Sequence, residues 1–320
     1  MNKKVRIGII GAGVIAPWHI ESFVKFPDEC EVVAICDISE AAVKKLAEKY
    51  GLSPYADHNQ MIQDKKLDAV CICTPAGTHC SIALDALKHS CHIMCEKPMA
   101  VELSEARKMV DAAEKAKTVF AIGYTRRFEP PVIKMKKAIE AGEFGAISSV
   151  RMVFAGHAPG GHKEGRGGII LDNGSHCIDM LRFLLGDPIK VVAVQAQSFG
   201  TDPHEATNFS ALLYGRNGEM FSVEAGWQGH AGNRGFIEVY GSKESATYDF
   251  LSNRFEWYKD KKWQTPEVSQ EAKFDLQSKH FLDCIFNGTK CIAGVQDCAK
   301  TSEILDQMVS CAHYLTVPKA

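Results

Sequence analysis

One glycine-rich turn near the start of the chain constrains its fold more than any other feature. The apolar run 5–10 leads directly into Gly11-Ala12-Gly13-Val14-Ile15-Ala16, and a helix-like pattern follows. A buried strand, this turn and a helix, in that order, are typical of a dinucleotide-binding βαβ unit. Gly11 permits the tight turn, Gly13 lets the backbone approach a pyrophosphate, and the small Ala16 lets helix and strand pack closely.

The residues after this turn favour NAD as the cofactor. Val14 and Ile15 fall at the N-terminus of the next helix, where amide groups suit a phosphate. Asp37 ends the second strand, and a carboxylate there accepts hydrogen bonds from both ribose hydroxyls and repels a 2′-phosphate. No arginine follows it in Ile38-Ser39-Glu40, so NAD is favoured over NADP. A glycine turn in some other α/β protein is the alternative interpretation.

Two further segments follow short apolar runs that read as parallel strands. They are Thr74-Pro75-Ala76-Gly77-Thr78-His79 and Glu96-Lys97-Pro98. The carboxyl ends of parallel strands face the ligand crevice of such a sheet, so both segments are candidate cofactor contacts. The residues selected on this ground are Thr74, Pro75, His79 and Glu96. An ordinary capped turn is an equal alternative for the first segment.

Lys97 is the candidate catalytic residue of the first half. Pro98 restricts the preceding residue to extended geometry, which directs the Lys97 side chain into the crevice. An ammonium group there would hold a substrate oxygen and stabilise its alkoxide character during hydride removal. A solvated lysine at a strand end explains the spacing equally well.

A second candidate site lies in the apolar segment 168–179, which carries Asp172 and His176. If the segment is helical, these residues lie on one face, one turn apart. A free imidazole has a pKa of about 6.5, which suits a general base near neutral pH. Asp172 would orient the substrate or act through its charge. Asp179 reads as a structural partner that anchors the helix.

Three other residues are candidate substrate contacts. Tyr124 and Arg127 follow the last strand of the first half, and His157 falls in a glycine-rich polar stretch typical of a loop at a ligand site. Pairing of the arginines with acids on the next element is an equal alternative to substrate contact.

Composition excludes several other classes of function. The 37 basic and 39 acidic residues nearly cancel, so no field of one sign favours nucleic acid or a membrane surface. No segment has the length of a membrane span or reads as a secretory signal. The 12 cysteines include no Cys-x-x-Cys pair, and several fall in apparent buried strands. We therefore expect reduced thiols, a cytoplasmic location and no metal site.

The pattern of elements predicts an α/β protein of two domains. Residues 1–122 alternate apolar strands and helices, which indicates a doubly wound parallel sheet of the Rossmann type. Residues 123–320 begin with helices and then run through several longer strands joined by short turns, indicating an α+β domain with an open, mostly antiparallel sheet. Two helices near 274–286 and 297–315 end the chain, and the last of them is expected to pack back on the first domain.

These motifs together resemble the glucose-fructose oxidoreductase, inositol dehydrogenase and rhizopine catabolism (Gfo/Idh/MocA) family. The resemblance also uses Gly123-Tyr124-Thr125-Arg126-Arg127-Phe128 and covers nearly the whole chain. It implies a catalytic lysine matched by Lys97, an aspartate–histidine pair matched by Asp172 and His176, and a homodimer or homotetramer. It implies NAD-dependent oxidation of a secondary alcohol on a sugar, polyol or sugar derivative. A regulatory protein without turnover and a glycosidase that uses NAD transiently are the alternatives.

Overall fold

The chain forms two compact units in the computed structural model, which describes residues 3–156, 168–198, 206–227 and 233–316. Unit 1 comprises Met1–Phe128 and Glu271–Ala299, and unit 2 comprises Glu129–Gln270 and Lys300–Ala320. This grouping differs from the expected division after residue 122. Residues 271–299 belong with unit 1 because, for example, the Ile122 amide donates to the Ala293 carbonyl at 2.8 Å.

The first stretch of the chain alternates strands and helices as expected. Its strands are β1 (Val5–Ile10), β2 (Cys30–Cys36), β3 (Ser53–Tyr55), β4 (Ala69–Ile72), β5 (His92–Cys95) and β6 (Phe120–Ile122). Its helices are α1 (Ala16–Phe23), α2 (Glu40–Tyr50), α3 (His58–Lys65), α4 (His79–Lys88) and α5 (Leu103–Lys115). Short 3-10 turns occupy Ala76–Thr78 and Thr125–Phe128.

The six strands form one parallel sheet in the order β3-β2-β1-β4-β5-β6. Alternate strand residues pack into two apolar layers, so that Ile9 belongs to one layer and Ile10 to the other. This confirms the doubly wound arrangement, and it places the ends of β1, β2, β4 and β5 along one edge. Ser39 caps α2 by accepting from the Ala42 amide, Gly51 ends it at φ +70°, and both residue types are typical of these positions.

The rest of the chain contains four helices and nine strands among the described residues. In chain order they are α6 (Pro130–Glu140), β7 (Ile147–Ala155), α7 (Gly168–Leu185), β8 (Lys190–Ser198), β9 (Asn208–Tyr214), β10 (Met220–Gly226), β11 (Arg234–Gly241), β12 (Ser245–Asp249), β13 (Arg254–Lys259), β14 (Lys262–Gln264), α8 (Lys273–Asn287), α9 (Val295–Cys311) and β15 (Ala312–Thr316).

The nine strands of unit 2 form one sheet in the order β14-β13-β12-β11-β7-β10-β9-β8-β15. Only the β7–β10 and β8–β15 pairs of this described sheet are parallel, so the expected mostly antiparallel sheet is confirmed. The expected helix over 297–315 is wrong at its end. Residues 312–316 leave the helix and pair with β8, which gives their backbone amides and carbonyls hydrogen-bonding partners on the sheet edge.

One face of this sheet is packed against a helix, and the opposite face carries exposed side chains. Helix α7 packs against β7, β9 and β10, and the row Leu213, Phe221, Val150 and Val239 on that side is buried. The neighbouring row on the opposite side contains the exposed residues Tyr214, Met220 and Tyr240.

In the described part of the chain, no helix combines the length and the apolar character that crossing a membrane requires. All 12 cysteines are free thiols.

Candidate functional site

The glycine-rich turn presents bare backbone at the carboxyl end of β1. Gly11 has φ +102°, and a Cβ there would lie 2.6 Å from the carbonyl carbon of Cys73, so only glycine fits. The amides of Gly13, Val14 and Ile15 donate to no acceptor in the part of the chain that the structure describes. Three such N–H groups at the start of α1 suit an anion such as a pyrophosphate.

Asp37 is fixed beside this turn by two backbone hydrogen bonds. Its Oδ2 accepts from the Ala12 amide at 2.7 Å, and its Oδ1 accepts from the Ser39 amide at 2.8 Å. Asp37 and the 98% exposed Ile38 begin a groove of about 780 Å³ between α2 and β3. The carboxylate therefore keeps its position while its remaining lone pairs face a ligand-accessible surface.

His79 ties together two of the strand ends that the sequence selects. Its Nε2 lies 2.9 Å from the Thr74 carbonyl and its Nδ1 lies 3.0 Å from the Pro98 carbonyl. Burial lowers the pKa of this imidazole, against the effect of those carbonyls. Both ring nitrogens face carbonyl oxygens of unit 1, and a neutral imidazole donates its single N–H to one of them. His79 therefore positions the strand ends instead of offering a free donor to a cofactor.

Glu96 is also committed within unit 1. Its Oε1 lies 2.7 Å from Nε2 of His19, and its Oε2 accepts from the Lys97 amide at 3.1 Å. Both side chains are buried. Burial opposes ionisation of Glu96, but the hydrogen bond and charge of His19 and the charge of Lys97 outweigh it and lower the carboxyl pKa. Glu96 therefore anchors the backbone of the half-buried Lys97. Sequence reasoning missed His19. The pattern that could have identified it is a polar residue on the buried side of α1.

Tyr124 and Arg127 are placed inside unit 1, which does not favour the substrate contacts expected for them. Tyr124 is 1% exposed and belongs to an apolar core. The Arg127 guanidinium donates to Asp297 at 2.7 Å and to the Ile292 carbonyl. The alternative interpretation, an arginine paired with an acid on a later element, describes Arg127.

In unit 2, α7 runs without interruption through 168–185, so the segment that carries Asp172 and His176 is helical. Asp172 and His176 are therefore one turn apart on one face, and both are half-buried among mostly buried neighbours. The Phe154 ring lies 5.9 Å from the His176 ring, centroid to centroid. Asn173, which sequence reasoning missed, shares this half-buried surface and donates to the Phe154 carbonyl at 3.3 Å.

A buried polar network fixes α7 in unit 2. Thr301 lies 3.3 Å from Asp179 and accepts a hydrogen bond from Arg182 at 2.9 Å. Arg182 also forms two parallel hydrogen bonds to Asp187, of 2.8 and 2.9 Å. The predicted anchoring role of Asp179 is confirmed, and the network holds the turns that follow Asp172 and His176. His157 lies outside the described residues.

Comparison with family models finds two matches that together cover most of the chain. Residues 5–124 match the model described as an oxidoreductase family with an NAD-binding Rossmann fold. Residues 132–247 match the GFO/IDH/MocA C-terminal domain.

Individual relatives agree with these models. Myo-inositol 2-dehydrogenase of Thermotoga maritima is 30% identical over 75% of this chain and 73% of its own length. The rhizopine catabolism protein MocA of Rhizobium meliloti is 31% identical over 80% of each chain. Levoglucosan dehydrogenase, solved with NADH and levoglucosan, shares the fold with a TM-score of 0.87 at 22% identity, over 99% of this chain and 100% of that one.

Proposed function

Since this chain belongs to the Gfo/Idh/MocA oxidoreductases, whose first domain is an NAD-binding Rossmann fold, we propose that it oxidises a secondary alcohol of a sugar, polyol or sugar derivative. The observation that carries the proposal is the α7 surface, where Asp172 and His176 lie one turn apart within a helix fixed by buried polar contacts. The dehydrogenases of inositol and levoglucosan among its relatives support this substrate class.

The nucleotide half of the reaction rests on residues of unit 1. The amides of Gly13, Val14 and Ile15 would hold the pyrophosphate, and Asp37 would accept hydrogen bonds from the ribose hydroxyls. Gly11 lets this turn pass close to the end of β4, since a Cβ there would meet the backbone of Cys73. Bound NAD⁺ supplies the hydride acceptor.

Three side chains would handle the substrate hydroxyl. His176 accepts the hydroxyl proton on a ring nitrogen as the carbinol carbon loses its hydride. The Lys97 ammonium donates a hydrogen bond to the same oxygen and stabilises its negative charge. Asp172 accepts a hydrogen bond from a neighbouring hydroxyl and so orients the ring. Fixed backbones support these roles, because Glu96 holds the Lys97 amide and α7 is continuous.

A substrate screen tests this function. The purified protein is offered inositols, other polyols, sugars and nucleotide sugars with NAD⁺ or NADP⁺, and absorbance of the reduced cofactor is followed. Turnover with a polyol or sugar and NAD⁺ is the expected result. Cofactor binding without turnover on any of them would favour a regulatory protein, and glycoside cleavage without net NADH would favour the glycosidase alternative.

The cofactor preference gives a separate prediction. Hydrogen bonds to charged groups contribute about 1.5–3 kcal/mol, so Asp37→Asn should lower kcat/KM for NAD⁺ by roughly 10-fold to 100-fold. Removal of the charge should also improve the use of NADP⁺ relative to NAD⁺. Glu48→Gln is the matched control, because this acid also lines the groove. Unchanged kinetics with both cofactors in Asp37→Asn would remove Asp37 from this role.

A homodimer or homotetramer assembled through the open face of the unit 2 sheet completes the proposal. Tyr214, Met220 and Tyr240 lie in one cross-strand row, and Leu212 lies two residues from Tyr214 on the same side. All four are exposed in the single chain. Apolar side chains in such a patch are typical of a surface that another subunit covers, and a second copy offers the same patch by two-fold symmetry.

The sheet-face assembly predicts that Leu212→Lys weakens self-association by about 100-fold or more, because symmetry buries the new charge twice. Sedimentation equilibrium or light scattering after gel filtration measures the change. Leu251→Lys, in the turn between β12 and β13, removes a similarly exposed leucine elsewhere in unit 2 and should keep the assembly intact. An oligomer that survives Leu212→Lys assembles through another surface.

We place the protein in the reducing cytoplasm. Its 12 free thiols support this location, since cysteine-rich proteins of oxidising compartments form disulfides.

A further inference from the structure

Beneath the glycine-rich turn, unit 1 brings together a thiol–imidazole cluster of His19, Cys71 and Cys73. A ring nitrogen of His19 and the two sulfur atoms all lie within 4.8 Å of one another, and the three side chains are buried. Cys71 and Cys73 are two residues apart at the end of β4, which directs both to the same side of the sheet. His19 lies on α1, which packs on that side.

The distances within this cluster match those between the ligands of a tetrahedral metal. The two sulfur atoms are 3.7 Å apart. Two zinc–sulfur bonds of about 2.3 Å at a tetrahedral angle place their sulfur atoms about 3.8 Å apart. The thiols therefore already have the spacing of two ligands on one ion.

The imidazole of His19 is also prepared as a ligand. Its Nε2 is held 2.7 Å from the Glu96 carboxylate, while its Nδ1 is buried and has no hydrogen-bond partner in the described chain. A carboxylate on one nitrogen and a metal on the other is the usual arrangement of histidine ligands in metalloproteins. Glu96 would thus fix the ring orientation and leave Nδ1 for the ion.

We propose that His19, Cys71 and Cys73 form a zinc site, with Glu96 as the outer hydrogen-bond partner of the imidazole. Thiolate and imidazole ligands select a thiophilic ion. Zn²⁺ fits this buried position because its two charges are balanced by the two thiolates, whose protons pass to solvent on binding. The fourth tetrahedral position is left for a water molecule or an added ligand.

The position of this site connects it to the nucleotide half. Cys73 is the residue whose carbonyl carbon approaches a Gly11 Cβ to 2.6 Å, and His19 follows the start of α1 by less than one turn. An ion bound there would cross-link the end of β4 to the helix that begins at the phosphate-binding amides. We expect zinc to raise the thermal stability of unit 1 and to change the affinity for NAD⁺.

A second group of metal-ligating side chains must be separated from this one in any experiment. His280, Cys284 and Cys291 also lie within 4.8 Å of one another in unit 1. There the Nε2 lone pair of His280 is already occupied, since it accepts from the Ile292 amide at 3.0 Å. This group is therefore the less suitable ligand set, and Cys284→Ser/Cys291→Ser removes it.

The test uses the full-length Cys284→Ser/Cys291→Ser protein, reduced and stripped of metal, and titrates it with Co²⁺ as a spectroscopic substitute for zinc. We expect a thiolate-to-cobalt charge-transfer band that saturates at one equivalent and is abolished by one equivalent of Zn²⁺.

Adding Cys71→Ser or Cys73→Ser should weaken binding by about 100-fold or more. Glu96→Gln should weaken it by roughly 10-fold to 100-fold, the usual effect of an outer partner. Cys91→Ser, a buried thiol of the same unit, should leave it unchanged.

A second measurement needs no further substitution. Zinc should slow alkylation of Cys71 and Cys73, located by peptide mass mapping in partly unfolded protein, and leave alkylation of Cys91 unaffected. Absence of the charge-transfer band in the background protein would overturn the proposal. So would an unchanged band in folded Cys71→Ser, or equal protection of all three thiols. None of these readouts depends on turnover. They therefore test the zinc site independently of the proposed oxidoreductase activity.

Discussion

We expect replacement of His176 by alanine to lower kcat by about 10²–10⁴, the usual contribution of a general base. The side chain occupies a half-buried position on α7, which is fixed at its far end by Thr301 and Arg182. Removal of the imidazole takes away the proposed proton acceptor and leaves the Thr301, Arg182 and Asp179 contacts of α7 in place. The affinity for NAD⁺ should stay near the wild-type value, since Asp37 and the amides proposed to bind the pyrophosphate belong to unit 1.

Steady-state kinetics with the substrate found by the screen, and cofactor titration by fluorescence, measure the two quantities separately. His313→Ala is the matched control, because this histidine is exposed on β15 of the same unit. It should leave kcat unchanged. Turnover near the wild-type rate in His176→Ala would assign the proton to another group.

The second large effect is on stability. Arg182 has a side chain only 2% exposed, and its guanidinium donates twice to Asp187. Asp187→Ala leaves this buried charge without its carboxylate, which typically costs about 3–5 kcal/mol. A loss of 3 kcal/mol lowers the unfolding midpoint of a unit of this size by roughly 6–12 °C. Differential scanning calorimetry should show the shift in the transition of unit 2.

The stability effect should depend on pH in a defined direction. Burial opposes ionisation of Asp187, but Arg182 and Lys300 outweigh it and hold the carboxyl pKa below its ordinary value. A carboxyl with a lowered pKa stabilises the fold above its unfolded pKa of about 3.9, and this contribution is lost as the pH falls through the folded value. The difference between the wild-type protein and Asp187→Ala should therefore be full at pH 7 and shrink below about pH 4.

An exposed ion pair provides the control for this stability prediction. Glu140 is 60% exposed on α6 and pairs with Lys136. Glu140→Ala should change the free energy of unfolding by less than about 1 kcal/mol. Equal midpoints for Asp187→Ala and Glu140→Ala would mean that the Arg182–Asp187 pair contributes no more than a surface pair.

Local patterns predicted the fold of the first half well because each of its signals acts over a few residues. The glycine turn after β1 and the residues that begin and end α2, Ser39 and Gly51, depend only on their own neighbours in the chain. The end of the chain differs because residues 312–316 pair with β8, a strand more than 100 residues earlier. Helical periodicity carries no information about such a distant partner.

In the candidate site, too, features set by neighbouring residues could be predicted, and contacts between distant segments could not. The spacing of Asp172 and His176 was sufficient to place both on one face of α7. It did not show that His79 and Glu96 use their polar atoms on Pro98, Thr74 and His19. Those partners come from separate elements, and the packing of α1 and α4 against the sheet brings them together.

Unit 1 is built from two stretches of chain separated by most of unit 2, and this affects how the protein is made. Helix α8 packs on α1, with Phe281 against Phe23 and Phe274 stacked on Trp18. During translation the six strands of the parallel sheet leave the ribosome long before α8 does. The apolar side of α1 therefore stays exposed until the strands from β7 to β14 have been synthesised. Neither unit can be released as an independent fragment by a single cut, and each is completed only when its second stretch, 271–299 or 300–320, has been synthesised.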